Sequence, residues 1–244
     1  MRGADHNSPP ARPPAQAARP PEGEGEEWEA AYRRFETPAE EVAKFEGRLR
    51  ALGALEWPAD SEILELFCGR GNGLRALARL GFARIEGVDL SSTLVEGYAG
   101  PGRCLVGDCR HLDLPDRSKD VAIVQGGLHH LRGLDDLERA LTEASRILRP
   151  TGRFVAVEPW NTPFLRFVHV AVRSSIARRL SSKLDALATM IRCEGETYER
   201  WLGDPEAVLT LLHRYFRSLH CSRAWGKLMF VGTPRGTTPP GVEL

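Results

Sequence analysis

Lysine is scarce in this chain of 244 residues: Lys44, Lys119, Lys183 and Lys227 are all there are, and arginine carries the rest of the positive charge. Such a bias hints at a GC-rich, bacterial source. Long apolar runs are missing as well. No stretch approaches the ~18 residues of a membrane span, and no apolar signal core precedes residue 28, so neither a transmembrane helix nor a secretory leader is expected. Paired cysteine spacing is absent: the five cysteines are odd in number and scattered without a CxxC step. They read as reduced thiols of a cytoplasmic protein, with no disulfide framework and no metal site. Net charge is lacking too, because 33 basic residues meet 33 acidic ones. That balance argues against a general nucleic-acid surface, and no nucleic-acid partner is expected.

What is present is a large supply of core. The chain is 42% hydrophobic, enough for one α/β domain with additions. Residues 1–26 stand apart, with Pro9, Pro10, Pro13, Pro14, Pro20 and Pro21 among Ala, Arg and Gly. Such a segment buries too little to offset its ordering entropy and is expected to be disordered. Acid is concentrated next to it: residues 22–46 hold nine glutamates against Arg33, Arg34 and Lys44. From residue 27 to 232 a single domain is expected, followed by a flexible Pro/Gly/Thr tail over 233–244. Trp28, Tyr32 and Phe35 recur at helical spacing. A second helical pattern, Val42, Phe45, Leu49 and Leu52, follows Thr37-Pro38, a plausible N-cap and first helical position.

The organising stretch is Ile63-Leu64-Glu65-Leu66-Phe67-Cys68-Gly69-Arg70-Gly71-Asn72-Gly73. An apolar run enters alternating glycines and then the helical pattern of Leu74, Leu77 and Ala78. The pattern predicts a buried strand, a tight turn and a helix N-terminus with unpaired N–H groups. Glycines without a Cβ let a ligand lie on the backbone. Glu65 is an odd choice for packing and suits a cationic group on such a ligand. A second predicted strand ends in Asp89, an acceptor-only carboxylate able to take both hydroxyls of a ribose, with Ser91 and Ser92 at hand to cap the next helix instead.

The stretch resembles motif I of the class I S-adenosylmethionine-dependent methyltransferases, in which an acid precedes alternating glycines. Glu65, Gly69 and Gly71 match, while Phe67 stands where the family's first glycine usually sits. The small-molecule, type 11-like branch is the nearest in pattern, since Gly126-Gly127-Leu128-His129-His130-Leu131 follows the fourth predicted strand and no Asn-Pro-Pro-Tyr type of sequence stands there. The resemblance covers roughly residues 60–160 by motif and the closing hairpin by topology. It implies a Rossmann-like, doubly wound, seven-stranded sheet with an antiparallel C-terminal hairpin strand. It also implies S-adenosyl-L-methionine as cofactor and a small-molecule acceptor. Glu65, Gly69, Gly71 and Asp89 become cofactor-binding candidates. Asp108 takes the place of the acid that binds the adenine amino group, Cys109 offers the next backbone N–H, and Gln125 closes the fourth strand. Tyr32 or Phe35 then either lines the cofactor or simply packs.

His129 and His130 are the candidates for catalysis, because an unperturbed imidazole titrates near 6.5 and can take a proton from an acceptor. Either may instead only pack or cap. Between the fifth strand and the hairpin lies a helical insertion, 162–215, long enough to cap the acceptor. It sets Phe164, Phe167, Val168, Ala171, Ser175 and Ile176 on one face. Its basic residues, Arg166, Arg173, Arg178, Arg179, Lys183 and Arg192, suit an anionic or lipid-linked acceptor or make a solvated face. Two alternatives stay open: a non-catalytic binding or interaction protein, and a nicotinamide oxidoreductase. The latter is disfavoured by Leu74, where the dinucleotide fingerprint needs glycine.

Overall fold

The computed structural model describes residues 24–235. The two expected tails, 1–26 and 233–244, lie mostly outside the described residues. Where they are described they are ordered: the first helix, α1, opens at Glu24, and the last strand runs to Pro234.

Helix α1 (Glu24–Phe35) is followed by α2 (Pro38–Ala51), which starts as the sequence indicates. Thr37 is its N-cap, Pro38 its first residue, and Glu40 completes a reciprocal capping box. Strand β1 (Ile63–Leu66) is buried along its whole length and leads through the glycine turn into α3 (Asn72–Arg79). Then come β2 (Ile85–Asp89), α4 (Ser92–Glu96), β3 (Arg103–Val106) and β4 (Lys119–Gln125). Helix α5 (Leu134–Ile147) precedes β5 (Leu148–Pro159). Residues 149–152 form a bulge inside β5: Leu148 pairs with Lys119, and the register resumes at Arg153 opposite Val121. Pro150 has no N–H for a ladder, so this segment loops away from the neighbouring strand.

The sheet has seven strands in the order β3-β2-β1-β4-β5-β7-β6, closed by β6 (Phe216–Ala224) and β7 (Lys227–Pro234). The first five are parallel, whereas β7 runs antiparallel to both β5 and β6. The dinucleotide-binding order has no such reversed strand inserted between its neighbours. Phe154 of β5 stacks on Phe216 at 4.5 Å and 8°, fixing the hairpin against the parallel half. One core lies beneath α2 and α3, with Phe45, Leu49, Leu74, Ile63, Ile123 and Val155. The other holds Leu64, Leu66, Leu141, Phe154, Leu212 and Phe230 on the opposite face.

The insertion folds as α6 (Pro163–Arg173), α7 (Ser175–Leu180), α8 (Ser182–Gly203) and α9 (Pro205–Tyr215). Thr162, Ser174, Ser181 and Asp204 each cap one of them through the side chain, which explains why the segment breaks where it does. Helix α8 is kinked at Gly195. Helix α1 packs on α8 through Ala31, Ala186 and Met190, with Trp28, Tyr32 and Phe35 around them. The expected apolar stripe of the insertion does not look inward: Phe164, Phe167 and Ile176 are exposed, and α6 buries Val172 instead.

Candidate cofactor and acceptor site

Three of five residues leaving β1 have left-handed backbone: Phe67 (φ 56), Gly69 (φ 50) and Gly71 (φ 71). For a phenylalanine this conformation costs about 1 kcal/mol or more, and packing must offset it. The ring of Phe67 lies on Gly127, where an added Cβ would stand 2.4 Å from it. This accounts for the departure from the family's glycine. At Gly69 nothing lies within 4 Å of a would-be Cβ, so the backbone is open there. Gly71 differs from the expectation, because the ring of Tyr98 fills the space a side chain would take, at 2.2 Å. Gly73, which sequence reasoning did not single out, has the clearest need to be glycine: a Cβ would fall 1.8 Å from Oε1 of Glu65.

Strand alternation puts Glu65 on the α2–α3 face with Ile63, and Gln125 on that face with Val121 and Ile123. Glu65 is fully buried, and burial, then nearby Glu41, pushes its carboxyl up to about 8. No hydrogen bond of ordinary geometry reaches its Oε2 or either polar atom of the Gln125 side chain, although Gln125 lies near enough to favour the charged carboxylate. Asp89 lies where expected, with Oδ2 accepting from the Gly69 N–H (2.8 Å) and Oδ1 from the Ser91 N–H (2.9 Å). Ser91, not Asp89, caps α4. Asp108 follows β3, its carboxylate held by the Arg110 guanidinium (2.7 Å), which also meets Asp136 (2.8 Å). Burial would raise the Asp108 pKa, but Arg110 outweighs it and holds the group below the ordinary value. The Cys109 thiol is buried and pushed up to about 12 by that burial, so only its backbone is suited to a ligand.

On the opposite face of the sheet stands Glu158, which the sequence puts at the ligand-binding carboxyl edge without linking it to the histidines. Glu158 ends β5 fully buried. Its Oε1 accepts from the N–H groups of Gly127 and Leu128 (2.9 Å each), and its Oε2 lies 2.7 Å from Nδ1 of His129. Nε2 of His129 is 3.7 Å from Glu194 of α8, whose Oε1 accepts from the Trp28 indole at 2.8 Å. Burial alone would lower the His129 pKa; Glu158 and then Glu194 reverse this, and the net direction is up. The ring of His130 is 4.1 Å from that of His129. Though part of His130 reaches solvent, the protein packed around it and then His129 hold its pKa well below the ordinary value. One ligand atom from each of His129, His130 and Glu194 lies within 4.8 Å of the others. Placing His129 between two carboxylates accounts for that closeness. Behind this turn is a cavity of about 220 Å³, lined by Leu128, Leu131, Leu137, Thr197, Arg200 and Trp201.

The N-terminal helices close the front. Tyr32 bonds to Glu41, whose other oxygen accepts from the Asn72 amide at 2.6 Å. Arg70 of the glycine turn lies over the Tyr32 ring and pairs with Glu29. Tyr32 thus reaches the turn, whereas Phe35 packs towards α8. Glu41, Glu194 and Trp28 escaped sequence reasoning because an acidic or aromatic residue on a helix reads first as surface or core.

Residues 64–156 match the family model described as a methyltransferase domain. A curated relative from Streptomyces fradiae, a dTDP-3-amino-3,6-dideoxy-alpha-D-glucopyranose N,N-dimethyltransferase, is 33% identical over 47% of this chain and 46% of its own. The demethylmenaquinone methyltransferase of Tropheryma whipplei is 27% identical over 70% and 71%. The first two curated relatives are matched over 40% and 46% of their length. Among solved structures, a S-adenosylmethionine-dependent methyltransferase from Clostridium acetobutylicum superposes with a TM-score of 0.55 at 15% identity, covering 80% of this chain and 92% of that one. Sheet order and reversed strand define a class I, Rossmann-like methyltransferase fold. Within that fold, residues 64–156 are similar to a methyltransferase domain, and the chain spans about half the length of the first curated relatives it matches.

Two outcomes follow from this geometry. Gly127→Ala should destabilise the fold by about 1–3 kcal/mol, because the new methyl meets the Phe67 ring. Adding Phe67→Ala should make the pair less than additive, as read by thermal melts. For His129, the native pKa is raised, so its stabilising contribution is full below about 6.5 and is lost as pH rises through the native value. In Glu158→Gln, NMR titration of the imidazole should show a lower pKa, and the pH dependence of stability should flatten.

Proposed function

We propose that this chain transfers a methyl group from S-adenosylmethionine to a small-molecule acceptor. One observation carries the reading. On one face of the sheet, around the open backbone at Gly69, the buried Glu65 carboxyl and the Gln125 carboxamide lie close together with hydrogen-bonding capacity left unfilled, as groups awaiting a polar, cationic ligand would. Glu65, Gly69, Gly71, Asp89, Asp108, Cys109 and Gln125 are the residues proposed to hold the cofactor. Asp89 keeps lone pairs for a ribose beyond the two N–H groups it accepts, and the Cys109 N–H is the proposed contact to the adenine ring. Asp108 would share its carboxylate between an adenine amino group and Arg110. Gly71 acts through the Tyr98 ring that packs on it.

When bound, S-adenosylmethionine supplies an electrophilic methyl carbon on a sulfonium, and transfer is a single in-line displacement. The protein's task is then to orient the acceptor and exclude water. With Nδ1 directed to Glu158, Nε2 of His129, beside Glu194, is the nitrogen that would take the acceptor's proton. His130 is the weaker candidate for that proton, with no carboxylate to orient it. The arginines of 166–179 favour an anionic or lipid-linked acceptor, and the two relatives act on unlike substrates, so methyl transfer is what they share. A cytoplasmic setting goes with this reading. Among the described residues no helix is long and apolar enough to cross a membrane.

Calorimetry with S-adenosylhomocysteine is the direct test of the cofactor half. Asp89→Ala should weaken binding tenfold to over a hundredfold, about 1.5–3 kcal/mol for each charge-assisted hydrogen bond lost. Unchanged affinity in a folded variant would remove the ribose assignment. On the chemical side, His129→Ala should lower kcat by about 10²–10⁴ with cofactor affinity retained. A variant that turns over an acceptor panel at the parent rate would show that His129 only packs.

A further inference from the structure

We propose that the outward face of α6 and α7, with the tip of the β6–β7 hairpin, docks on a bilayer surface carrying anionic headgroups. This goes beyond methyl transfer and does not rest on it. Of the eleven large hydrophobic residues exposed among those described, six fall here: Phe164, Phe167, Val170, Ile176, Leu180 and Trp225. Phe167 is 70% exposed, Leu180 84% and Trp225 75%. Scattered single residues of this kind need no explanation, but a cluster on adjoining elements does.

The helix periodicity shows that the cluster is a face. Phe164, Phe167 and Val170 recur every third residue on the outer side of α6, opposite buried Val172. Arg166 and Arg173 border that stripe, and Arg179 stands beside Leu180 on α7. Phe164 meets the Trp225 ring edge-on at 5.4 Å, joining the helix to the hairpin tip. Trp225 itself occupies a left-handed turn position (φ 52), where Asn, Asp or Gly is ordinarily found. A strained, exposed tryptophan persists most readily where its ring has something to enter.

Charge selects the occupant. Between residues 161 and 184 there is no acidic residue, and Asp185 is already paired with Arg34 at 3.4 Å. Among the described residues, no carboxylate lies within ion-pair distance of Arg166, Arg173 or Arg179. A second copy of the chain on this face would set arginines against arginines across a twofold axis. An anionic bilayer answers both features: its headgroups take the guanidinium groups while the aromatic and aliphatic tips enter the interfacial layer.

The test is flotation of the full chain with vesicles of phosphatidylcholine and of phosphatidylcholine mixed with phosphatidylglycerol. Binding is expected to the mixed vesicles, weakly or not at all to the neutral ones, and to fall as salt is raised. Arg166→Glu, Arg173→Glu and Arg179→Glu together should weaken binding on the order of 100-fold at low salt. Phe167→Ser with Leu180→Ser should weaken it at least about tenfold, with an unchanged melting temperature because both side chains are exposed. A parent that stays unbound with the mixed vesicles overturns the proposal, as do variants that bind like the parent. So does a parent that runs as a dimer in size-exclusion chromatography and becomes monomeric in the serine variant, which would assign the face to a second copy.

Discussion

The left-handed exit from β1 is the constraint on which the carboxyl edge of the sheet depends. Backbone that turns this way points N–H groups outward and leaves a surface bare of side chains, which is what makes Gly69 approachable. Its neighbours hold it in place from several directions. The Asp89 carboxylate grips the Gly69 N–H from β2, Tyr98 packs into the space at Gly71, and the Phe67 ring settles on Gly127 beyond β4. Phe67 shows the logic plainly. A residue that disfavours the conformation is retained because its ring joins two adjacent turns of the same edge.

Around that turn the site is built from carboxylates, each answered in a different way. Asp89 accepts backbone N–H groups, and Asp108 is clamped by an arginine. Glu158 divides its oxygens between two backbone N–H groups and an imidazole. Glu65 alone among these has an oxygen that no hydrogen bond of ordinary geometry reaches, and its raised pKa reflects burial and the neighbouring Glu41. A cation placed near Glu65 would lower that pKa and draw the carboxylate form. On the other face, His129 is raised by two acids that come from β5 and α8. The sheet thus separates a buried acid with a raised pKa on one side from an acid-supported imidazole on the other, at the same edge.

Much of this was legible in the residues because it is local. The run Ile63 to Gly73 announces strand, turn and helix through hydrophobicity, glycine and spacing over eleven consecutive residues. Asp89 at the end of β2 and Asp108 just after β3, the Thr37-Pro38 helix start and the antiparallel hairpin follow from equally short-range signals. A Cβ-free turn or a capping side chain acts on backbone within a few residues of itself, so its pattern stays in the sequence.

What only the tertiary structure decided depends on groups brought from far along the chain. Glu158 and His129 are 29 residues apart and Trp28 and Glu194 are 166 apart, and no spacing rule links them. Cys68 and Cys104 approach to 3.8 Å across the glycine of β2, although the sequence shows them as scattered. The direction of the α6 face was undecidable from periodicity, because the same stripe of Phe164, Phe167 and Ile176 fits a helix packed on a core or one turned to solvent. Packing on α8 chose the second. Periodicity states that a helix has two faces; only the neighbours that remain to be buried settle which one looks inward.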